Sequence, residues 1–509
     1  MSDTRGEHGR SNADACRRVP RVFATICALA CCVLGAHVLP AQSGSQAIVD
    51  SAAQARNAFR AAAKATTASE TLTLLLRASR AWPTQPAYWT ATARIAARAT
   101  DTAALREAVT ALADLHAGAS LLIDSAVQRV TRVSSLRREM ERLEGTTATL
   151  TAGRVFATLD DSTVFAEGLD ADPRTNALYV ASIRHRTIYE IGADGRVRDL
   201  RVSRSAGVGA VLGVRVSPDG RSLYATTVGL PMMLGYTAAD SSLVAIIKIR
   251  RADGAVVARW DIAMDGARHL LGDLTIASDG TVYASDSYAP VLYRLRVGAT
   301  ALESIRHPLF RSLQGMAMVP GGAHLIVADY SHGLLRVDLT TSAVTRIVDA
   351  PGATSLGIDG IVWHHDGVIA VQNGMEPARV AKFVLDRTQS RIVRVDELDR
   401  QPHLADEPTI GTLWRGGFAY VANSQWEKYD DARRRPGTVL RPTLILCIPL
   451  APSPASSPGS SPGSSPASSR PDTPRRTQDG AATARNGMRK TASVPPSART
   501  CSVSDAASP

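Results

Sequence analysis

The feature that most constrains the fold is a strand-turn-strand unit that recurs six times. Its copies are "EGLDADPRTNALYVAS" from Glu167, "LGVRVSPDGRSLYATT" from Leu212, "DLTIASDGTVYASDS" from Asp273, "QGMAMVPGGAHLIVADYS" from Gln314, "DGIVWHHDGVIAVQN" from Asp359 and "TIGTLWRGGFAYVANS" from Thr409. Apolar residues alternate with others on either side of a Gly-containing or polar turn, the pattern of a β-hairpin. Successive starts lie 45, 61, 41, 45 and 50 residues apart, close to the ~40–50 residues of a four-stranded propeller blade. The pattern predicts a mainly β chain whose centre is a six-bladed β-propeller spanning 148–450.

Each copy supplies the inner two strands of a blade. Segments such as "LLRVDL" (Leu334–Leu339) and "RVAKFVLD" (Arg379–Asp386) supply outer ones. A ring of blades must close, because an unpaired strand edge templates aggregation. The segments Gly153–Leu159 and Thr443–Leu450 bracket the repeats and are expected to share one blade.

At 509 residues with 45% hydrophobic content, the chain is long enough for more than the propeller. Residues 42–147 are rich in Ala, Leu and Arg. Apolar residues recur there at helical spacing, as in Leu72, Leu75 and Leu76, then Ile95 and Ala96, then Leu105, Val109 and Leu112. The expectation is an α-helical, tetratricopeptide-like region of at most one and a half units, or a small helical layer packed on its neighbour.

The two ends are of different character. Arg17, Arg18 and Arg21 precede the largely apolar run Val22–Leu39 and a small residue, Ala41, which reads as a signal peptide over 1–41; an uncleaved anchor is the alternative. Residues 451–509 are Pro/Ser-rich and read as a disordered tail. Four of the six cysteines fall in the N-terminal segment, leaving Cys447 and Cys501, too few for a disulfide framework or a Cys-based zinc site. The formal charge of +11 has +4 in the tail and +2 in the first 41 residues. The rest is spread thinly, with no basic run interleaved with aromatics, so no nucleic-acid partner is expected. No membrane association beyond the export signal is expected either, and the localisation is exported, periplasmic or secreted.

Candidate chemistry sits where inner strands begin, at one mouth of the central channel. Asp359 precedes Asp366 by seven residues, Gln314 precedes Gly321 by seven, Glu167 precedes Arg174 by seven, and Asp273 precedes Asp279 by six. Glu167, Asp273, Gln314 and Asp359 are therefore expected to converge, with Leu212 and Thr409 as the non-acidic members of the ring. Clustered carboxylates repel unless a cation or proton intervenes, and all-oxygen donors suit calcium or magnesium better than zinc. Taken singly, each acid could equally cap a turn. Asp329, Asn373 and Asn423, at the ends of second strands, are further candidates for contacting a small-molecule ligand in the channel.

His364-His365-Asp366 looks like a metal site and reads as none. It occupies a strand end and the hairpin turn after it, where successive side chains point to opposite faces. It also lies on the order of 20 Å from the mouth where Asp359 starts. The Gly-x-Ser-x-Gly match at Gly459–Gly463 lies in the tail, without the strand-turn-helix a nucleophile elbow needs. No Walker loop or His-Glu-x-x-His motif is present.

"EGLDADPRTNALYVASIRHRTIYEI", "QGMAMVPGGAHLIVADYSHGLLRVD" and "IDGIVWHHDGVIAVQNG" resemble the senescence marker protein/gluconolactonase (LRE-like) family, and more distantly NHL-repeat propellers, over about residues 150–450. The resemblance implies a divalent ion held in the channel by a Glu, an Asp and two Asn, and hydrolysis of sugar lactones. Matched by blade, the Glu falls on Glu167 and the Asp on Asp359, whereas the two Asn fall on Asp273 and Gln314. The resulting expectation is an exported metal-dependent lactonase-like hydrolase acting on a sugar lactone or related ester, with Asp359 assisting proton transfer. The alternative is a non-catalytic propeller scaffold whose helical region docks a protein partner.

Overall fold

Each of the six repeats folds into a four-stranded antiparallel blade, and the chain is mainly β with a small helical region ahead of the propeller. The computed structural model describes residues 43–451, apart from 134, 203–204, 206 and 431–432, together with Cys501. The segment expected to direct export, 1–41, lies outside the described residues, as does the tail apart from Ala451 and Cys501.

Blades 1 to 5 run in chain order from inner to outer strand. Their inner strands are Ala166–Asp172, Ala210–Val216, Leu271–Ile276, Leu313–Met318 and Ile358–His364. Blade 6 takes three strands, Gly411–Trp414, Gly417–Val421 and Thr443–Pro449, from the end of the propeller, and its outer strand, Arg154–Leu159, from the beginning. Arg154 stands opposite Cys447 and Leu159 opposite Thr443, so the ring closes as expected.

All five in-order inner strands carry a register shift near their start. Within it the backbones of neighbouring inner strands touch. A Cβ on Gly168 would meet the Leu212 carbonyl oxygen at 2.0 Å, on Gly213 the Asp273 Cα at 2.9 Å, and on Gly360 the Ile410 Cα at 2.7 Å. Glycine at these places is what lets six inner strands crowd round a narrow axis. Between blades the core is continuous apolar packing, with Tyr179, Phe383 and Phe418 wholly buried.

The helical region comprises α1 (Ser43–Ala62), α2 (Ala68–Ala81), α3 (Pro86–Arg98), α4 (Thr102–Asp114), α5 (Ser125–Val133) and α6 (Arg137–Thr147). Their starts are capped by side chains where the sequence offers them. Thr67 accepts from the Glu70 N–H before α2, and Asp101 from the Ala104 N–H before α4. Their apolar faces form one cluster around Leu105, Val109, Leu112 and Leu121, and Met375 of the propeller is part of it.

Met375 belongs to the loop 373–378 between the second and third strands of blade 5. The carbonyl of the next residue, Glu376, accepts from the N–H groups of Gly118 (2.6 Å) and Ala119 (3.2 Å), and its carboxylate from the Ser120 hydroxyl (2.5 Å). Glu397, held down to about 2 despite its burial by bonds to His116, Arg379 and Arg400, completes the junction. The helices therefore sit on the loops at the mouth end of blades 4 and 5. Helix α1 reaches the same end, where Arg56 lies 3.3 Å from His332.

Candidate functional site at the channel mouth

Aligning the inner strands on the residue three past the last pair before the register shift, whose partner lies two residues earlier on the second strand, brings Leu169, Val214, Leu274, Met316 and Ile361 to one place. Two positions earlier stand Glu167, Leu212, Gly272, Gln314 and Asp359, with Thr409 contributed by blade 6. This is the ring at the mouth. Asp273 does not belong to it. It occupies the place that is glycine in blades 1, 2, 4 and 5, one residue deeper.

Two acidic layers result. In the deeper one, Asp273 pairs with Arg215 at 3.3 Å and accepts from the Leu274 N–H at 2.7 Å. Asp170 accepts from the Val216 N–H at 2.7 Å and the Thr412 hydroxyl at 3.2 Å, and it too is acted on by Arg215. Burial raises both carboxyls and the guanidinium between them opposes the rise. This layer is internally compensated, and it holds Asp273 one residue deeper than the ring on which it was expected.

In the upper layer no such cation acts on Asp359 or Glu167. Asp359 Oδ2 accepts from Asn373 Nδ2 at 2.8 Å and from the Thr409 hydroxyl at 2.9 Å. Burial nevertheless pushes its carboxyl up to about 7, the two bonds and the Asp273 charge being smaller effects. Glu167 accepts from Trp426 Nε1 at 2.8 Å. Burial first, then the Asp359 charge, raises it well above the usual carboxylate range. Glu407 is pushed up to about 8 by burial, opposed by the Glu427 N–H that both of its oxygens accept. Tyr330 shares this mouth, its phenol raised by burial and then by the Asp359 and Glu407 charges.

Asn373 is the pivot of the upper layer. Its amide nitrogen is committed to Asp359 and to the Pro408 carbonyl (2.9 Å), while its Oδ1 is buried without a partner. Gln314 lies on the ring with its amide nitrogen 3.4 Å from the Ser312 hydroxyl. Among the described residues no three His, Cys, Asp or Glu side chains come close enough to hold a metal ion. A cation at the mouth would therefore rely on the amide oxygen of Asn373 beside Glu167 and Asp359.

The other two ligand-contact candidates have structural work. Asp329 is wholly buried, and its two oxygens accept from the N–H groups of Arg311, Ser312, Ser331 and His332. Its saturated carboxylate ties two loops together, and its neighbour Tyr330 takes the mouth position. Asn423 is likewise buried, bridging the Pro442 carbonyl and the Leu444 N–H. The His364 and His365 rings lie 3.9 Å apart between centres, tilted by 58°, and Asp366 pairs with Lys382 at 2.6 Å. Burial lowers His364 to about 4, and the cluster lies at the hairpin turn between the first two strands of blade 5.

Trp426 and Glu407 escape any reading of the repeats because Trp426 lies in the long insertion between the second and third strands of blade 6, and Glu407 precedes that blade's inner strand. In the insertion Trp426 packs edge-on against Phe165 (4.9 Å), which in turn stacks on Tyr429 (5.0 Å).

Fold and site together define a six-bladed β-propeller with a carboxylate-rich mouth and a helical layer seated on it. No protein-family model matches the chain, and no curated protein matches it. Among solved structures it is similar to a catalytically inactive virginiamycin B lyase from Staphylococcus aureus with quinupristin, at 12% identity over 58% of this chain and 98% of that one, with a TM-score of 0.39. It is also similar to a protein from Thermus thermophilus described as an oxidoreductase (glucose dehydrogenase), at 14% identity over 58% and 100%, TM-score 0.38. A third, described as a gluconolactonase, shares 16% identity over 60% and 95%, TM-score 0.37. These likenesses are too remote to carry an activity to this chain.

Proposed function

We propose that the mouth binds a divalent cation and hydrolyses a lactone or related ester, with Asp359 as the proton-transferring group. The observation that carries this reading is the contrast between the two acidic layers. The deeper pair receives Arg215, whereas no cation is among the groups acting on Glu167 and Asp359: burial raises both, Asp359 is offset only by its bonds from Thr409 and Asn373, and Glu167 is raised further by the Asp359 and Glu407 charges. Buried carboxylates left in that state call for a proton or an external cation.

The donor set fits a hard ion. Glu167, Asp359 and the orphaned Asn373 Oδ1 are all oxygens, with Gln314 next to them on the ring, which suits calcium or magnesium over zinc. Such an ion, when bound, polarises a carbonyl and makes a bound water more acidic. The chain's own groups do the rest. Asn373 and Thr409 both hold Asp359 through Oδ2, which orients its other oxygen for taking a proton from water. Trp426 fixes Glu167 and, with Phe165, shields it from solvent. Without a cation burial holds the Asp359 carboxyl near 7, and a divalent ion beside it would favour the ionised form that accepts a proton.

A scaffold role for the helical layer is less well supported, because its apolar cluster is closed by the helices themselves together with Met375 of the propeller. Export is supported by the Cys447–Cys501 disulfide, since such bridges persist in oxidising compartments. The test is metal content and lactone turnover of the purified protein, beside Glu167→Gln and Asp359→Asn. Bound calcium or magnesium and turnover lost in both variants is expected. Metal-free wild type with no turnover, indistinguishable from the variants, would refute the reading.

A further inference from the structure

A carbonyl compound needs hydrogen-bond donors, and the mouth spends nearly all of its own on its acids. Among the side chains there whose hydrogens do not titrate near neutral pH, Trp426 Nε1 is given to Glu167 and the Thr409 hydroxyl to Asp359. Asn373 Nδ2 is shared between Asp359 and the Pro408 carbonyl. The Gln314 amide nitrogen turns to Ser312 Oγ over a long 3.4 Å. That leaves the Tyr330 hydroxyl. Among the described residues no group takes up its hydrogen, and its surroundings act on it through burial and through the charges of Asp359, Glu407 and Glu427.

The backbone puts this phenol where the acids are. The Tyr330 carbonyl accepts from the Gly357 N–H at 2.9 Å, and the Gly357 carbonyl from the Gly374 N–H at 3.0 Å. Gly357 lies two residues before Asp359, and Gly374 directly follows Asn373. Both glycines have to be bare for the ring to fit. A Cβ on Gly374 would stand 2.7 Å from the Tyr330 hydroxyl oxygen and 2.5 Å from the Gly357 Cα, and Gly357 holds a φ of +68°, which glycine adopts at no steric cost. Tyr330 is partly exposed, as are Glu167, Gln314, Asp359 and Glu407. Burial and the neighbouring acids raise its phenol, so it stays a donor at neutral pH.

We infer that Tyr330 donates its hydroxyl hydrogen to the carbonyl oxygen of the ester held at this mouth. In the attack, the water oxygen bonds to the carbonyl carbon, one water proton passes to Asp359, and the C=O π pair moves onto the oxygen that Tyr330 bonds. When that pair returns, the bond from carbon to the leaving oxygen breaks, and the leaving oxygen takes the proton from Asp359. Tyr330 keeps its own proton throughout and acts by stabilising the oxyanion. This inference rests on the hydrolase reading, and its test separates the two.

The test is Tyr330→Phe in the full-length protein with calcium. It is read as kcat and KM for δ-valerolactone and as calorimetric binding of δ-valerolactam, whose carbonyl resists hydrolysis. The expected result is a kcat about 100-fold lower with little change in KM. A fall in kcat of less than about threefold, or a loss carried in KM instead, overturns the inference and leaves the hydrolase reading standing. If no lactone is turned over, the hydrolase reading fails and the lactam decides. Binding weakened at least about threefold by Tyr330→Phe supports the donor, and equal or absent binding overturns it. Should the variant melt well below wild type, a difluorotyrosine installed in place of Tyr330 keeps the ring and makes its hydroxyl more acidic. Turnover, or lactam binding where nothing is turned over, should then be lost at lower pH than in wild type, and an unchanged pH profile overturns the inference.

Discussion

Asp359 sits in a mouth that holds more acids than cations, and its protonation should be visible in stability. Its folded carboxyl titrates near 7, above its ordinary value near 3.8. Between those values the folded state binds a proton that the unfolded chain releases, so its contribution to stability is lost as pH rises from about 4 to 7. In protein stripped of divalent ions, Asp359→Asn should therefore raise the melting temperature at pH 8 and change it little at pH 4. The difference is worth up to a few kcal/mol, and thermal melts across that range would show it. Added calcium should stabilise wild type at pH 8 and the variant much less. Counting seven residues back from the turns was enough to find Asp359, Glu167 and Gln314. Asp273 stood six from its turn, and that shortfall was the signal that Gly272 holds the ring position. Nothing in the composition of "VADYS" distinguishes Asp329, saturated by four N–H groups, from Tyr330 at the mouth. That distinction depends on which strand face the register presents.

At the scale of elements, the bulged inner strands make the mouth narrow. Gly168→Ala would drive a methyl into the Leu212 carbonyl, and a loss of about 3 kcal/mol or more in urea unfolding is expected. Gly145→Ala, in helix α6 with nothing within 4 Å of the new methyl, should instead stabilise by about 0.5–1 kcal/mol. The loop 373–378 links two elements that sequence patterns treat as separate. Asn373 bonds Asp359 at one end, and two residues on, Met375 enters the helical core. Met375→Ala should cost about 2–4 kcal/mol and also weaken calcium binding. Calorimetry on the folded variant checks the second effect, which a purely structural role would leave unchanged. The repeats and their spacing were legible because hairpin periodicity is local. The seating of the helices was not, since it depends on contacts more than 250 residues apart, such as Ser120 with Glu376.

For the whole molecule, Cys447 and Cys501 join a strand of blade 6 to a position 54 residues later. The Cys501 sulfur covers Gly417, where a side chain would collide with it, and its N–H is donated to the Arg415 carbonyl at 3.2 Å. Two cysteines so far apart in sequence carry no spacing signal, which is why no bridge was expected of them. Non-reducing peptide mapping should recover the two cysteines in one cross-linked species, and Cys501→Ser should lower stability by about 2–4 kcal/mol. The shared blade has a consequence in time. Its outer strand, Arg154–Leu159, is made first, and its partner Thr443–Pro449 is made last of all the strands. A chain emerging from its N-terminus would therefore wait through the synthesis of five blades with Arg154–Leu159 unpaired. Holding the nascent chain soluble over that interval is a task the finished ring no longer reveals.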